Sequence, residues 1–237
     1  MTHMTGPLCL APDCTARARA IRPASKNGRY CEKHRQVLRR QGDPRQCPIL
    51  VRDLKPHLKA VRRIVAKDSS AKIETVLTAL HQTMLDYVGE IVSDAESGQW
   101  VFRWTARSAR EMRRVLLSVK PVDVGVRMAS MFLLREYQPY LFVSQAGFLH
   151  QLAKTFLRLV DSSWGSYWHV KAGRVKKVYK LLPTRCMAEI GATLNEAFAP
   201  FASRVCDLDQ RKRKQGQAIR KALDEAFASI DKESTSR

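Results

Sequence analysis

Apolar residues recur along most of this chain at intervals of three and four, the spacing that gathers them on one face of an α-helix. Leu54, Leu58, Val61 and Val65 mark a helix over 50–66, with Pro56 as a point where it kinks or restarts. Ile73, Leu77, Leu80, Met84, Tyr87, Val88 and Ile91 mark a longer helix, capped by Ser69 and Ser70 and running to Ala95. A basic helix is expected over 108–119, before Pro121. The pattern of 122–137 opens after that proline and closes before Pro139. Residues 142–160 are strongly apolar, with His150, Lys154 and Arg158 at intervals of four. A final helical pair is read at 183–205 and 211–230.

Two segments break this pattern. Residues 166–181 place aromatic and β-branched residues on both sides of a Gly-containing turn, which suits a short β-hairpin. The first 50 residues hold four of the six cysteines and ten basic against three acidic residues. A short helix over 31–41 stops there at Gly42-Asp43-Pro44. The expected organisation is an N-terminal module at 1–47, a helical domain at 48–210, and a basic helix and tail at 211–237.

Charge narrows the class of partner. The chain carries 42 Lys+Arg against 22 Asp+Glu, a formal net charge of +20. Such an excess works against compaction, and a polyanion is the usual reason to tolerate it. No stretch reaches the roughly 18–20 apolar residues of a membrane span. The best candidate, 122–143, is interrupted by Asp123, Arg127, Arg135 and Glu136. The opening MTHMTGPLCL does not read as a secretion signal. A cytoplasmic setting, with reduced cysteines suited to metal rather than disulfides, is therefore expected.

Four residues in the N-terminal block have metal-ligand spacing. Four residues separate Cys9 from Cys14, two separate Cys31 from His34, and a 16-residue polar loop lies between the pairs. Thiolate and imidazole are the donors zinc favours, four at a time. Cys31 and His34 lie where a helix begins, so both can grip one Zn2+ from its first turn. A block this small cannot build a sufficient apolar core, and the metal would supply much of its folding energy. Cys47 is an alternative ligand, although it lies past the Gly-Asp-Pro stop; Cys186 and Cys206 fall in apolar helical patterns and read as core residues.

The run Gly28-Arg29-Tyr30-Cys31-Glu32-Lys33-His34, continued through Arg35-Gln36-Val37-Leu38-Arg39-Arg40-Gln41-Gly42-Asp43-Pro44, resembles the small zinc module of phage HNH homing endonucleases and related phage DNA-binding proteins. The resemblance covers residues 9–44. It implies zinc ligation by Cys9, Cys14, Cys31 and His34, and DNA contact by the basic helix. Arg35 stands where that family usually carries an aromatic. The expected fold class is mainly α: a small treble-clef-like zinc module, then a multi-helix domain with one short hairpin.

The nuclease half of that family is not legible. The chain has two asparagines, Asn27 in the polar loop and Asn195 in a helical pattern, and neither pairs with His169 as an HNH site requires. Nucleotide-binding glycine motifs and a nucleophile elbow are also missing. Asp207 and Asp209 with Glu196 or Glu189 are the alternative, as a divalent-metal nuclease site.

Three basic surfaces suit phosphate. The first is the module: Arg17, Arg19, Arg22, Lys26, Arg29, Arg35, Arg39 and Arg40. The second is the ridge Arg103, Arg107, Arg110 and Arg114, recurring at four, three and four, with Arg113 beside it and Trp100 and Trp104 upstream. The large apolar area of those tryptophans marks them as core anchors rather than stacking platforms. The third is the hairpin, with Lys171, Arg174, Lys176, Lys177 and Lys180 interleaved with Tyr167, Trp168, His169 and Tyr179. The basic run 211–214 is a fourth, with solvation or targeting as its ordinary use. A non-enzymatic DNA-binding protein of a phage or mobile element is the expected function. A structured-RNA binder, the metal-dependent nuclease, and a helical interaction factor or homodimer are its rivals.

Overall fold

The computed structural model describes residues 7–18, 29–68, 71–161, 163–179 and 181–235. It is mainly helical. Helices α1 (Glu32–Gln41), α2 (Val51–Ala66), α3 (Lys72–Glu96), α4 (Arg103–Ser118), α5 (Pro121–Tyr137) and α6 (Gln145–Leu157) precede strands β1 (Ser163–His169) and β2 (Arg174–Tyr179), and α7 (Thr184–Thr235) closes the chain.

The centre of the body is α5. Val124, Val126, Met128, Ala129, Met131, Leu133 and Leu134 are buried on every side of it, as expected of a helix apolar all round. It packs on α2, α3, α6 and α7. Leu77, Met84, Met112, Leu116, Phe148, Phe156, Ile190 and Leu194 build the main core around it. Val61, Leu133, Ala202 and Val205 build a second cluster where α2, α5 and α7 meet. Gly191 allows α6 and α7 to approach closely, since a Cβ there would lie 2.2 Å from the Leu149 carbonyl oxygen.

Local side-chain chemistry accounts for the starts of α2 and α6. The Asp53 carboxylate accepts the Leu50 N–H at 3.0 Å and starts α2; Pro56 then sits in its interior without ending it. Ser144 Oγ caps α6 by accepting the Gly147 N–H at 3.1 Å. Helix α3 follows Ala71; the expected caps Ser69 and Ser70 lie outside the described residues. Helix α4 begins at Arg103, five residues before the expected start. Ser108 is buried in its interior, donating to the Trp104 carbonyl at 2.8 Å.

The expected pair of C-terminal helices is one helix. The stretch 206–210 holds no glycine or proline, and Asp209 inside it is tied to α5. Its carboxylate accepts the Tyr137 hydroxyl at 2.9 Å and Arg213 Nε at 2.7 Å, while the Arg213 guanidinium lies 4.0 Å from the Tyr137 ring centroid. The boundary expected at 210/211 therefore falls within α7. Pro200 is also accommodated inside that helix. The hairpin is antiparallel, pairing Ser166 with Lys177, Tyr167 with Lys176, Trp168 with Val175 and His169 with Arg174. Its first strand starts three residues earlier than expected.

Candidate metal centre and basic surfaces

The N-terminal module folds from two pieces. Residues 7–18 form a tight turn closed by an antiparallel bridge between Leu8 and Arg17. Within it the Cys9 N–H donates to the Ala16 carbonyl at 2.9 Å, and Cys14 returns to Ala11 at 3.3 Å. The second piece is α1, whose N-cap is Cys31. The Leu10 N–H to Arg29 carbonyl bond, 3.0 Å, ties the two together.

This arrangement brings all four expected ligands to one point. The donor atoms of Cys9, Cys14, Cys31 and His34 lie within 4.8 Å of one another. His34 Nδ1 is 3.4 Å from both Cys9 Sγ and Cys31 Sγ, and the Cys14 and Cys31 sulfurs are 3.9 Å apart. They are close enough to hold one metal ion. Cys9 and Cys31 are buried and Cys14 and His34 partly so. Burial opposes ionisation of Cys9, but hydrogen bonds from the backbone of Cys31 and Ala11 and from the His34 and Cys31 side chains outweigh it, bringing the thiol down to about 6. A thiolate is the form that binds metal.

Among the described residues this is the one such grouping of His, Cys, Asp and Glu donors. Cys47 is exposed and outside it. Cys186 is buried in the core as expected, and Cys206 is partly buried at its edge, its thiol pushed up to about 11 by burial and by nearby Glu136, Asp207 and Asp209. The acidic residues weighed as a nuclease site are not gathered: Asp209 is held by Tyr137 and Arg213, and Glu189 accepts from Thr105 at 2.6 Å and Ser108 at 3.1 Å.

The module is seated on α6, which sequence reasoning missed. Gln46, 1% exposed, donates to the Leu141 carbonyl at 2.8 Å and accepts the Val143 N–H at 3.1 Å. Ser144 donates to Asp43 at 2.8 Å. Gln151 and Lys154 both donate to Gln41 Oε1, at 2.8 and 2.9 Å. Gly42 ends α1 at φ 85°, and a Cβ on it would lie 2.4 Å from the His150 Cβ. Both demands select glycine. The only signal in the sequence was the Gly-Asp-Pro stop, which reads as a boundary rather than a joint.

The basic residues fall into three settings. In the module Arg17, Arg29, Arg39 and Arg40 are exposed, while Arg35 pairs with Glu32. Arg19, Arg22 and Lys26 lie outside the described residues. On α4, Arg103, Arg107, Arg110 and Arg114 line the side opposite buried Ala109, Met112 and Leu116; Glu111 pairs with Arg114 at 3.2 Å. In the hairpin, Lys171 and Arg174 are exposed, Lys176 is partly buried and Lys177 lies on β2; Lys180 lies outside the described residues. Tyr167 and Trp168 are largely exposed there.

The two upstream tryptophans part company. Trp104 packs against the main core as expected, but Trp100 is 80% exposed. No described helix is long and apolar enough to cross a membrane. No family model, curated protein or solved structure matches this chain.

Proposed function

We propose that this chain is a non-enzymatic, zinc-dependent DNA-binding protein serving a phage or mobile element as a regulator or accessory factor. The mobile-element setting rests on the resemblance of residues 9–44 to phage zinc modules. Zinc suits the donor set: a tetrahedral site with Zn–S bonds of about 2.3 Å has sulfur–sulfur edges of about 3.8 Å. The 3.9 Å between Cys14 and Cys31 agrees with that. Such an ion would fix the knuckle to the start of α1 and hold Arg39 and Arg40 on a rigid scaffold; it is structural, since all four positions are filled by protein.

The observation that carries the DNA reading is the segregation of arginine on α4. Four guanidinium groups share one face of a single helix, opposite its buried side, with one carboxylate among them. Mutual repulsion disfavours such a ridge until phosphates neutralise it. Guanidinium matches phosphate bidentately, and an unbroken row of them follows a backbone rather than reading bases.

The test is binding of labelled duplex DNA by fluorescence anisotropy across a salt series. The parent is expected to lose affinity steeply with salt. The Arg107→Ala/Arg110→Ala variant should bind every duplex sequence more weakly by a similar factor, with a salt slope shallower by about 2. Equal affinity of variant and parent at moderate salt would remove the ridge from the account.

A further inference from the structure

The segment leading into α4 carries three aromatic rings in a row. Phe102 stacks on Trp104, centroids 4.7 Å apart and planes 16° from parallel. Trp100 meets Phe102 edge-on at 4.4 Å. The Arg185 guanidinium, from α7, lies 3.6 Å from the Trp104 centroid. The inner end of this ladder is anchored. Ser108 Oγ and Cys186 Sγ both donate to the Trp104 carbonyl, at 2.8 and 3.6 Å. Glu189 of α7 accepts from Thr105 and Ser108 in the same helical turn.

The outer end is bare. Trp100 leaves 80% of its surface in water and Phe102 leaves 46%. Two large rings held in fixed order on a rigid base, one mostly and the other nearly half in water, are an uncommon use of apolar surface. Their neighbours indicate what covers them. Arg103 follows Phe102 directly and is the first member of the α4 arginine ridge. A partner that offers flat apolar faces along a polyanion suits both features. Proteins that hold unpaired nucleic acid combine these two elements, a cationic track for the backbone and aromatic faces for the bases. In duplex DNA the base faces are stacked on one another and closed to such contact.

We propose that Trp100, backed by Phe102 and Trp104, stacks on an unpaired base of a DNA strand whose phosphates follow the α4 arginines. This rests on the nucleic-acid reading above and specifies its substrate as single-stranded or locally opened DNA. Because Phe102 stacks on an anchored Trp104, little ordering is needed at binding.

The experiment measures affinity of the full chain for an oligothymidine strand and for a blunt duplex of equal nucleotide number, at one salt concentration. Trp100→Ala should weaken the single strand roughly 5- to 100-fold and leave the duplex within about twofold. Trp100→Phe should restore most of the loss. Trp100→Gln, of similar length without a ring, should behave as alanine does and guards against a fault particular to one variant. Circular dichroism should be unchanged, because Trp100 lies outside the core. Equal weakening of strand and duplex by Trp100→Ala, or no change in either while Arg107→Ala/Arg110→Ala weakens both, would overturn the stacking platform and leave the arginine track standing. A parent that binds neither DNA at low salt would overturn both readings. Tighter, equally Trp100-dependent binding of oligouridylate would overturn the assignment to DNA.

Discussion

The module and the helical body solve the folding problem in opposite ways. The body buries whole side chains: Phe148, Phe156, Met128, Met131, Leu133 and Leu152 are all sealed from solvent. The module's cluster consists of Cys9, Ala11 and Cys31, with Cys14 and Tyr30 against it. Helix α1 has no buried residue other than the cysteine that caps it. Three small residues cannot offset the entropy of ordering this many positions. In the body the ligand-independent hydrophobic term is enough; in the module its place is taken by four converging donor atoms. The two halves should therefore respond to different perturbations.

Removing the proposed zinc ion should separate them most sharply. Structural zinc contributes on the order of 10 kcal/mol to the small domains it organises. A strong chelator, or Cys31→Ser, is expected to abolish hydrogen-exchange protection in α1 while amides of α5 keep theirs. Stoichiometric zinc in the purified parent, and its loss in Cys31→Ser, should accompany the change by elemental analysis. Loss of protection in α5 on chelation would mean that the metal holds the whole chain, and the contrast would be gone.

The reverse perturbation acts on the body. Phe148 lies 5.4 Å from Phe132 and 5.3 Å from Phe142, both edge-to-face, and Arg135 sits 4.4 Å above its ring. Phe148→Ala should cost about 3–5 kcal/mol in urea unfolding, with metal content of the folded fraction unchanged. A cost under about 1 kcal/mol would show that this core repacks easily and that its density is not what holds the body.

Legibility in the sequence divides along the same line. The Cys/His cluster was legible because its residues come in closely spaced pairs, and Cys31 and His34 share a helical turn for reasons any sequence shows. Helix α3 was legible to within a residue or two because its stripe is long and regular. The start of α4 was misplaced at 108, where burial of Ser108 and its bond to Trp104 put that residue mid-helix. The join inside α7 was hidden because the Tyr137 hydroxyl that holds Asp209 becomes visible only when α5 lies alongside. Trp100 was misassigned because ring size predicts burial on average and says nothing of the one residue set in a lead segment. Gln46 and Gln151 left no trace at all, and the stripe of His150 with Lys154 and Arg158 did not mark the burial of its histidine. Buried polar residues are specified by partners far along the chain, and no local period marks them.

His150 sits where the two regions meet, and it gives the smallest and most local test. It is 4% exposed with Nδ1 lacking a hydrogen-bond partner, and it packs beneath Gly42 of the module. Burial chiefly, and then the charge of Lys154, push its ring down to about 4; a backbone hydrogen bond at Arg40 offsets this only in part. Lys154 is itself lowered to about 8 by burial and by Arg158 and Arg40, and no carboxylate offsets the shift of the His150 ring. Between pH 6.5 and 4 the unfolded chain takes up a proton here that the folded chain refuses. Stability from this group is thus complete above pH 6.5 and declines as pH falls toward 4, by on the order of 3 kcal/mol. Metal ligands also lose their ion in acid, so the measurement must be a difference. His150→Gln, which removes the titration, should show a shallower fall in unfolding free energy across that window than the parent, both with excess zinc. Parallel profiles would mean that water reaches the ring, and that the seam between module and body is looser than the packing of His150 against Gly42 requires.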